Sequence, residues 1–237
     1  MLKDILFLAV VFLTNIIQGI TGFAGTVLAM PPGIFLQGID TAKMVLNILG
    51  ILSSIWIIFI SYKDIDWKEV KKILIFMIIG VALGMKLFTL LPLGFLLKIY
   101  AFFIILMALK GIFIKGEIQT PKWVLIGVIL LAGVVHGMFV SGGPLIMIYV
   151  AKKLKSKSSF RATLAVVWIV LNSYLAFSHY NQGVFTPENI KLLWMSIPPF
   201  AFGMIAGNIL HYKMSQASFL KLSYILLSIS GMALIVK

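Results

Sequence analysis

Apolar residues run along this chain in long blocks divided by short polar stretches. The blocks cover roughly 5–36, 43–62, 70–90, 95–114, 122–151, 160–180, 189–210 and 215–236. A helix needs about 20 apolar residues, at about 1.5 Å each, to cross a hydrocarbon core of about 30 Å. The pattern therefore predicts an all-α integral membrane protein with eight hydrophobic segments. The connecting stretches, such as 63–69, 115–117 and 152–157, are too short to form a soluble domain. The start of the chain, an apolar run after Lys3 and Asp4, lacks a small-x-small cleavage site and is expected to be retained.

Two blocks break the pattern. A straight helix over 5–36 would be about 48 Å long, too long for a simple span. That block is interrupted by Gly19, Gly22 and Gly25, and the fifth block, 122–151, by Gly137, Gly142, Gly143 and Pro144. A shift of 118 residues superposes the two without a gap: Gly19 meets Gly137, Gly25 meets Gly143, Lys43 meets Arg161, Phe59 meets Phe177 and Tyr62 meets Tyr180. A shift of 119 brings Gly84 and Met85 onto Gly203 and Met204. The order of broken segment, basic-headed helix and two further helices is thus repeated. Residues 1–118 and 119–237 read as two copies of a four-segment unit within one transmembrane domain.

Charge decides how the copies are oriented. The chain holds 20 Lys and Arg against 7 Asp and Glu. Eight full crossings would place ten basic residues on each side, against the positive-inside rule. If the first and fifth segments are instead re-entrant hairpins, one side carries only Lys3, Lys43, Lys86, Lys98, Lys191 and Lys237, and the other carries the remaining fourteen. The copies then have opposite orientation, an inverted repeat, with both termini outside. Hairpin arms of about 14 and 11 residues would reach partway into the core. Irregular backbone at that depth must be covered by protein or a water-filled cavity, so the two glycine tips are expected to meet near the midplane.

Composition narrows the chemistry. The apolar share is 61% and the charged share 11%, against roughly 25% charged in soluble domains. The net charge of +13 lies in short clusters between apolar runs, which face anionic lipid headgroups rather than nucleic acid. The absence of cysteine excludes thiol chemistry and disulfides. No HExxH, GxSxG or P-loop pattern occurs, and the three histidines have no metal-like spacing, so neither an enzyme nor a bound cofactor or metal is expected. All seven acidic residues fall at segment ends or in loops, which leaves no carboxylate at the midplane to carry protons or sodium.

The polar groups remaining at the tips are neutral: Asn15, Gln18, Thr21 and Thr26 in the first, His136 and Ser141 in the second. Such a lining suits a small anion, met by helix N-termini that begin at the tips. Pro144 favours a helix start and leaves Leu145 and Ile146 as amide donors. Pro31 and Pro32 lie deeper, so the first hairpin's second arm is expected to kink or start late. The glycines also fit close helix packing, and His136 fits a structural hydrogen bond as well as a substrate ligand. Asn172 is a candidate pathway residue. Lys43 and Arg161, at equivalent helix starts, are placed at the two mouths, where they would attract anions. Trp67, Trp123 and Trp194 read as interfacial anchors.

The runs Gln18-Gly19-Ile20-Thr21-Gly22-Phe23-Ala24-Gly25 and His136-Gly137-Met138-Phe139-Val140-Ser141-Gly142-Gly143-Pro144, with Phe160-Arg161-Ala162-Thr163-Leu164, resemble the sulfite exporter TauE/SafE family of membrane permeases. The likeness covers essentially the whole chain, and its second motif is the more specific. It implies a multi-pass cell-membrane permease for small sulfur-containing anions, with substrate-binding residues drawn from Gln18, Gly19, Thr21, Gly22, Gly25, His136, Gly137, Ser141, Gly142, Gly143 and Pro144. An anion channel and a non-transporting membrane scaffold are the alternatives.

The hairpin topology makes a direct prediction. The chain has no native cysteine, so Asp64→Cys should react with an impermeant thiol reagent only from the cytoplasmic side. Labelling from outside would contradict it.

Overall fold

The computed structural model describes residues 2–92, 121–154 and 156–215, with scattered positions between 94 and 106 and between 217 and 225. Most of the fourth and eighth apolar blocks, with Lys110, Lys115 and Lys237, lies outside the described residues. Between 2 and 92 and between 121 and 215 the described residues form the α-helices α1 (Leu2–Thr21), α2 (Ala24–Gln37), α3 (Ile39–Ser61), α4 (Trp67–Leu90), α5 (Lys122–Phe139), α6 (Gly143–Lys153), α7 (Lys157–Asn181) and α8 (Pro187–Lys213). Among the described residues there is no strand. Among the described residues six helices, namely α1, α3, α4, α5, α7 and α8, are long and apolar enough to cross a membrane.

Local sequence explains where the helices start. The Asp66 carboxylate accepts hydrogen bonds from the Lys68 and Glu69 amides at the head of α4. Ser156 does the same for Ser159 on α7, and Thr186, followed by Pro187, for Asn189 on α8. Short polar side chains at these positions satisfy amides that have no partner inside the helix.

The two glycine-broken blocks each form a pair of helices, and in each pair the chain doubles back. The Gln37 amide at the end of α2 donates to the Asp4 carboxylate at the start of α1, at 3.0 Å. Gly33 faces the Phe7 ring, and the Gly25 amide donates to Gln18 Oε1 at 2.9 Å. Position by position, α2 returns beside α1. In the same way α6 folds back on α5, with Gly142 against the Ala132 carbonyl and the His136 side chain. Two expectations need correction. At 20 and 18 residues, α1 and α5 are about 30 and 27 Å long, longer than the arm of about 14 residues expected for the first pair. And α2 is helical from Ala24 through Pro31 and Pro32, so of the two alternatives, a kink or a late start, the late start is ruled out; the prolines leave the carbonyls of Val27 and Leu28 without a helical donor.

Glycine seams join the pairs to distant helices. A Cβ at Gly19 would lie 3.0 Å from Gly207 Cα, and one at Gly203 would lie 2.6 Å from the Phe12 carbonyl oxygen, so α1 and α8 touch backbone to backbone. Gly80 and Gly84 of α4 press on α5 at Leu130, Gly133 and Val134, and Gly137 presses on Val81. Small residues let helices approach closely where lipid removes the hydrophobic drive for association. Each doubled-back pair therefore leans on the last described long helix of the other half. Between them α3 and α7 pack antiparallel, tied by Asn47 Nδ2 to the Asn172 carbonyl at 2.9 Å.

The seams predict an asymmetric response to leucine. Gly207→Leu drives a Cβ into the Ile16 carbonyl and should cost about 3 kcal/mol or more of stability, whereas Gly127→Leu meets open space and should be neutral. Thermal melting in detergent checks both; equal melting points would show that α1 and α8 are not in backbone contact.

Candidate functional site

The break after α1 is closed by side chains from the other half of the chain. Residue 22 turns with φ +78°, a left-handed conformation open to glycine. Arg161 Nη1 donates to the Gly19 carbonyl at 2.6 Å, and His211 Nδ1 to the Ile20 carbonyl at 2.8 Å. Trp168 Nε1 donates to the Gly22 carbonyl at 3.1 Å. The Gly19 and Ile20 carbonyls are among those a helix end leaves unpaired, and a guanidinium suits the negative end of the helix dipole. Arg161 Nη2 is also bonded to Asn208 Oδ1 at 3.0 Å. Lys157, from the basic cluster, donates in the same way to the last carbonyls of α8, His211 and Met214.

At the head of α2 the amides are already engaged. Thr21 Oγ1 accepts from Phe23 and Ala24, at 3.3 and 3.1 Å, and Gln18 Oε1 accepts from Gly25. Gln18 Nε2 then donates to Ser53 Oγ at 3.2 Å. Thr21 and Gln18 thus cap the first tip.

The second tip is built differently. Val140 occupies the left-handed region, φ +54°, at the position 118 residues after Gly22. A β-branched residue there is strained by about 1–3 kcal/mol. The Gly142 amide donates to His136 Nδ1 at 3.5 Å, which places the imidazole proton on Nε2, and Nε2 donates to Asn172 Oδ1 at 2.9 Å. The His136 ring stacks on Trp168 at 4.9 Å between centroids. No side chain caps α6, and Pro144 stands in its first turn, so the amides of Gly143 and Leu145 have no helical partner. Ile146, expected as a donor, instead bonds the Gly142 carbonyl.

The two tips touch. A Cβ at Gly143 would lie 2.7 Å from the Phe23 ring and 2.9 Å from its carbonyl oxygen. Beside this contact is a small cavity bounded by Gln18, Phe23 and Thr26 of the first pair, His136, Val140 and Gly143 of the second, and Gly50, Trp168 and Asn172. It has room for about one water molecule. A second cavity of similar size shares Gln18, Thr26 and Gly50 and continues past Asn15 and Ser53. Neither is lined by a charged side chain.

Of the residues singled out from sequence, Gln18, Thr26, His136, Gly143 and Asn172 therefore converge on the first cavity, and Asn15 and Gly25 border the second. Gly19 and Gly137 lie in the helix seams. Gly22 makes the turn against Arg161, Gly142 packs on Ala132, Pro144 opens α6, and Ser141 bonds the Phe139 carbonyl. Lys43 and Arg161 are not at open mouths: they are 7% and 1% exposed, because Arg161 caps α1 and Lys43 lies over the Phe88 ring at 3.7 Å. Phe23, Gly50, Val140 and Trp168 were missed. Only Trp168 left a signal, a tryptophan in mid-helix rather than at an interface.

The profile described as Sulfite exporter TauE/SafE matches residues 7–234. The chain is 26% identical over 183 residues to the probable inner membrane transporter protein TsaS of Comamonas testosteroni, covering 74% of each chain. No solved structure matches it. Helices able to span a membrane and a profile match over most of the length make this a membrane transporter that belongs to the sulfite exporter TauE/SafE family.

Proposed function

We propose that the protein exports small sulfur-containing anions of the sulfite or sulfonate kind, by alternating access around one site between the two tips. The observation that carries this reading is the cavity at the tip contact, whose polar lining consists of neutral hydrogen-bonding groups. The Asn172 amide and the second N–H of Gln18 supply donors, His136 Nε2–H joins them when an anion displaces its bond to Asn172 Oδ1, and the uncapped start of α6 adds backbone N–H groups at the positive end of its dipole. An oxyanion accepts such bonds in any orientation, and a site without fixed cations can release it again. The name of the TsaS relative, an inner membrane transporter, supports placement in the same kind of membrane.

In this reading α1–α2 and α5–α6 are re-entrant hairpins of two inverted repeats, residues 1–118 and 119–237. Support comes from the Gln37–Asp4 bond, which puts both ends of the first pair together, and from the reciprocal seams α1–α8 and α4–α5. The recurrence of a left-handed residue at 22 and 140, 118 apart, supports it further. A cavity the size of one water is smaller than a sulfite ion, which fits an occluded transporter better than an open channel. Export also needs no coupling ion: moving a monoanion out of a cell that is negative inside is favoured by about 2.3 kcal/mol per 100 mV. That suits a cavity without a carboxylate.

Purified protein in liposomes should move labelled sulfite or methanesulfonate down an imposed potential. His136→Ala should reduce that flux at least tenfold while leaving the amount of folded protein in the membrane unchanged. Undiminished flux in the variant would remove the site from between the tips.

A further inference from the structure

The head of the last described long helix in each half is tied to a helix of the other half. At the end that the hairpin topology places in the cytoplasm, the Asp66 amide at the head of α4 donates to Thr163 Oγ1 of α7 at 3.0 Å. At the outer end, Thr41 Oγ1 of α3 donates to Asn189 Oδ1 in the first turn of α8, also at 3.0 Å. The cytoplasmic end carries a further bond. Tyr149, fully buried on α6, donates its phenolic O–H to Glu69 Oε2 in the first turn of α4. The Lys72 ammonium, one turn on from Glu69, lies over the Tyr149 ring at 5.1 Å. A hydroxyl bonded to a carboxylate is a charge-assisted pair, stronger than a neutral one. The outer end is not built to match. The shift of 118 residues puts Pro31 of α2 where α6 has Tyr149, and the shift of 119 puts Glu188 of α8 where α4 has Glu69. A proline ring has no hydrogen to donate, and Glu188 is exposed. The end of α2 is bonded instead within its own hairpin, from Gln37 to Asp4.

From this difference we propose that the Tyr149–Glu69 bond is the inner gate of the transporter: it pins α6 to α4, and the cavity opens to the cytoplasm when it breaks. The proposal rests on the alternating-access reading above and names the arm that moves. Helix α6 runs from Gly143, which lines the cavity, to Lys153. Tyr149 stands six residues, about 9 Å, along it. The partner helix is fixed, since Gly80 and Gly84 seat α4 on α5 and Thr163 holds its head to α7. The first arm of the second hairpin therefore stays with α4, and α6 is the arm that swings, about the close contact of Gly142 with Ala132. That movement uncovers the second tip from the cytoplasm. The first tip, closed by Arg161, Trp168 and His211, keeps its bonds. Tyr149 and Glu69 do not border the cavity, so they are positioning residues. An exporter receives its anion from the cytoplasm, and the strength of this bond sets the share of molecules open to receive it.

The chain has no native cysteine, so Thr26→Cys, a small change at a cavity-lining position, reports when the cavity is open. In uniformly oriented liposomes, a membrane-impermeant methanethiosulfonate on the cytoplasmic face should label that cysteine about tenfold faster once Tyr149→Phe is added, with no change from the outer face. Glu69→Gln, which keeps an oxygen to accept the bond but loses its charge, should act in the same direction by less, and it keeps the test open if Tyr149→Phe folds poorly. Without the reporter cysteine, Tyr149→Phe should also lower the sulfite concentration that gives half-maximal flux from the cytoplasmic face. Unchanged labelling in both variants would overturn the gate. So would equal acceleration from both faces, which is what a general loosening of the fold produces. A protein that moves neither sulfite nor methanesulfonate, while Tyr149→Phe still speeds cytoplasmic labelling, would overturn the anion reading and leave the gate standing.

Discussion

A backbone that leaves its helix inside a bilayer has no water to bond to, and every freed carbonyl and amide must find a partner in the protein. The break after Thr21 meets that demand with groups far away in sequence. Arg161, Trp168 and His211 bond the carbonyls of Gly19, Gly22 and Ile20, while Thr21 and Gln18 take the amides that follow. The first broken segment can be irregular only because α7 and α8 are there to complete it. Those helices are held in turn by glycine contacts that let α8 approach α1 backbone to backbone. Folding, packing and the shape of the cavity follow from the same constraint.

The second tip meets the demand less fully. Its left-handed residue is a strained valine, its amide-to-imidazole bond is long at 3.5 Å, and α6 begins without a side-chain cap. Gly143, at the uncapped start of α6, lines the cavity, next to a histidine whose proton is directed at Asn172. One tip closed by the scaffold and one tip left open is a division of labour suited to a transporter. The closed tip gives a fixed wall. In the proposed export reading, the open tip offers hydrogen bonds that an anion takes up and gives back. Trp168 touches both, through its indole N–H to Gly22 and its ring to His136.

Much of the helical organisation was legible in the sequence, because block lengths near a membrane's thickness and glycine interruptions are signals set by the bilayer itself. The shift of 118 residues that aligned Gly19 with Gly137 also relates the two left-handed residues, although one is glycine and the other valine. Side-chain roles were less legible. Charge at a helix start reads as a surface feature, so Arg161 was placed at a mouth, and nothing local reveals that its guanidinium reaches a carbonyl 142 residues away. Glycines gave the same signal for packing and for a site. Gly19 and Gly137 turned out to serve the seams, and Gly143 the tip contact, since spacing alone does not say which helix comes close. Phe23 and Val140 border the cavity as apolar residues, a type too abundant in this chain to stand out.

The central claim is that an oxyanion binds between the tips, in contact with His136, Asn172, Gln18 and the start of α6. Its most direct test is anomalous X-ray diffraction from crystals of the protein grown with selenite, a heavier analogue of sulfite. A selenium peak within hydrogen-bond distance of His136 Nε2 and the amide of Gly143 or Leu145 is the expected result. A peak confined to the surface lysines, with none between Phe23 and Gly143, would contradict it.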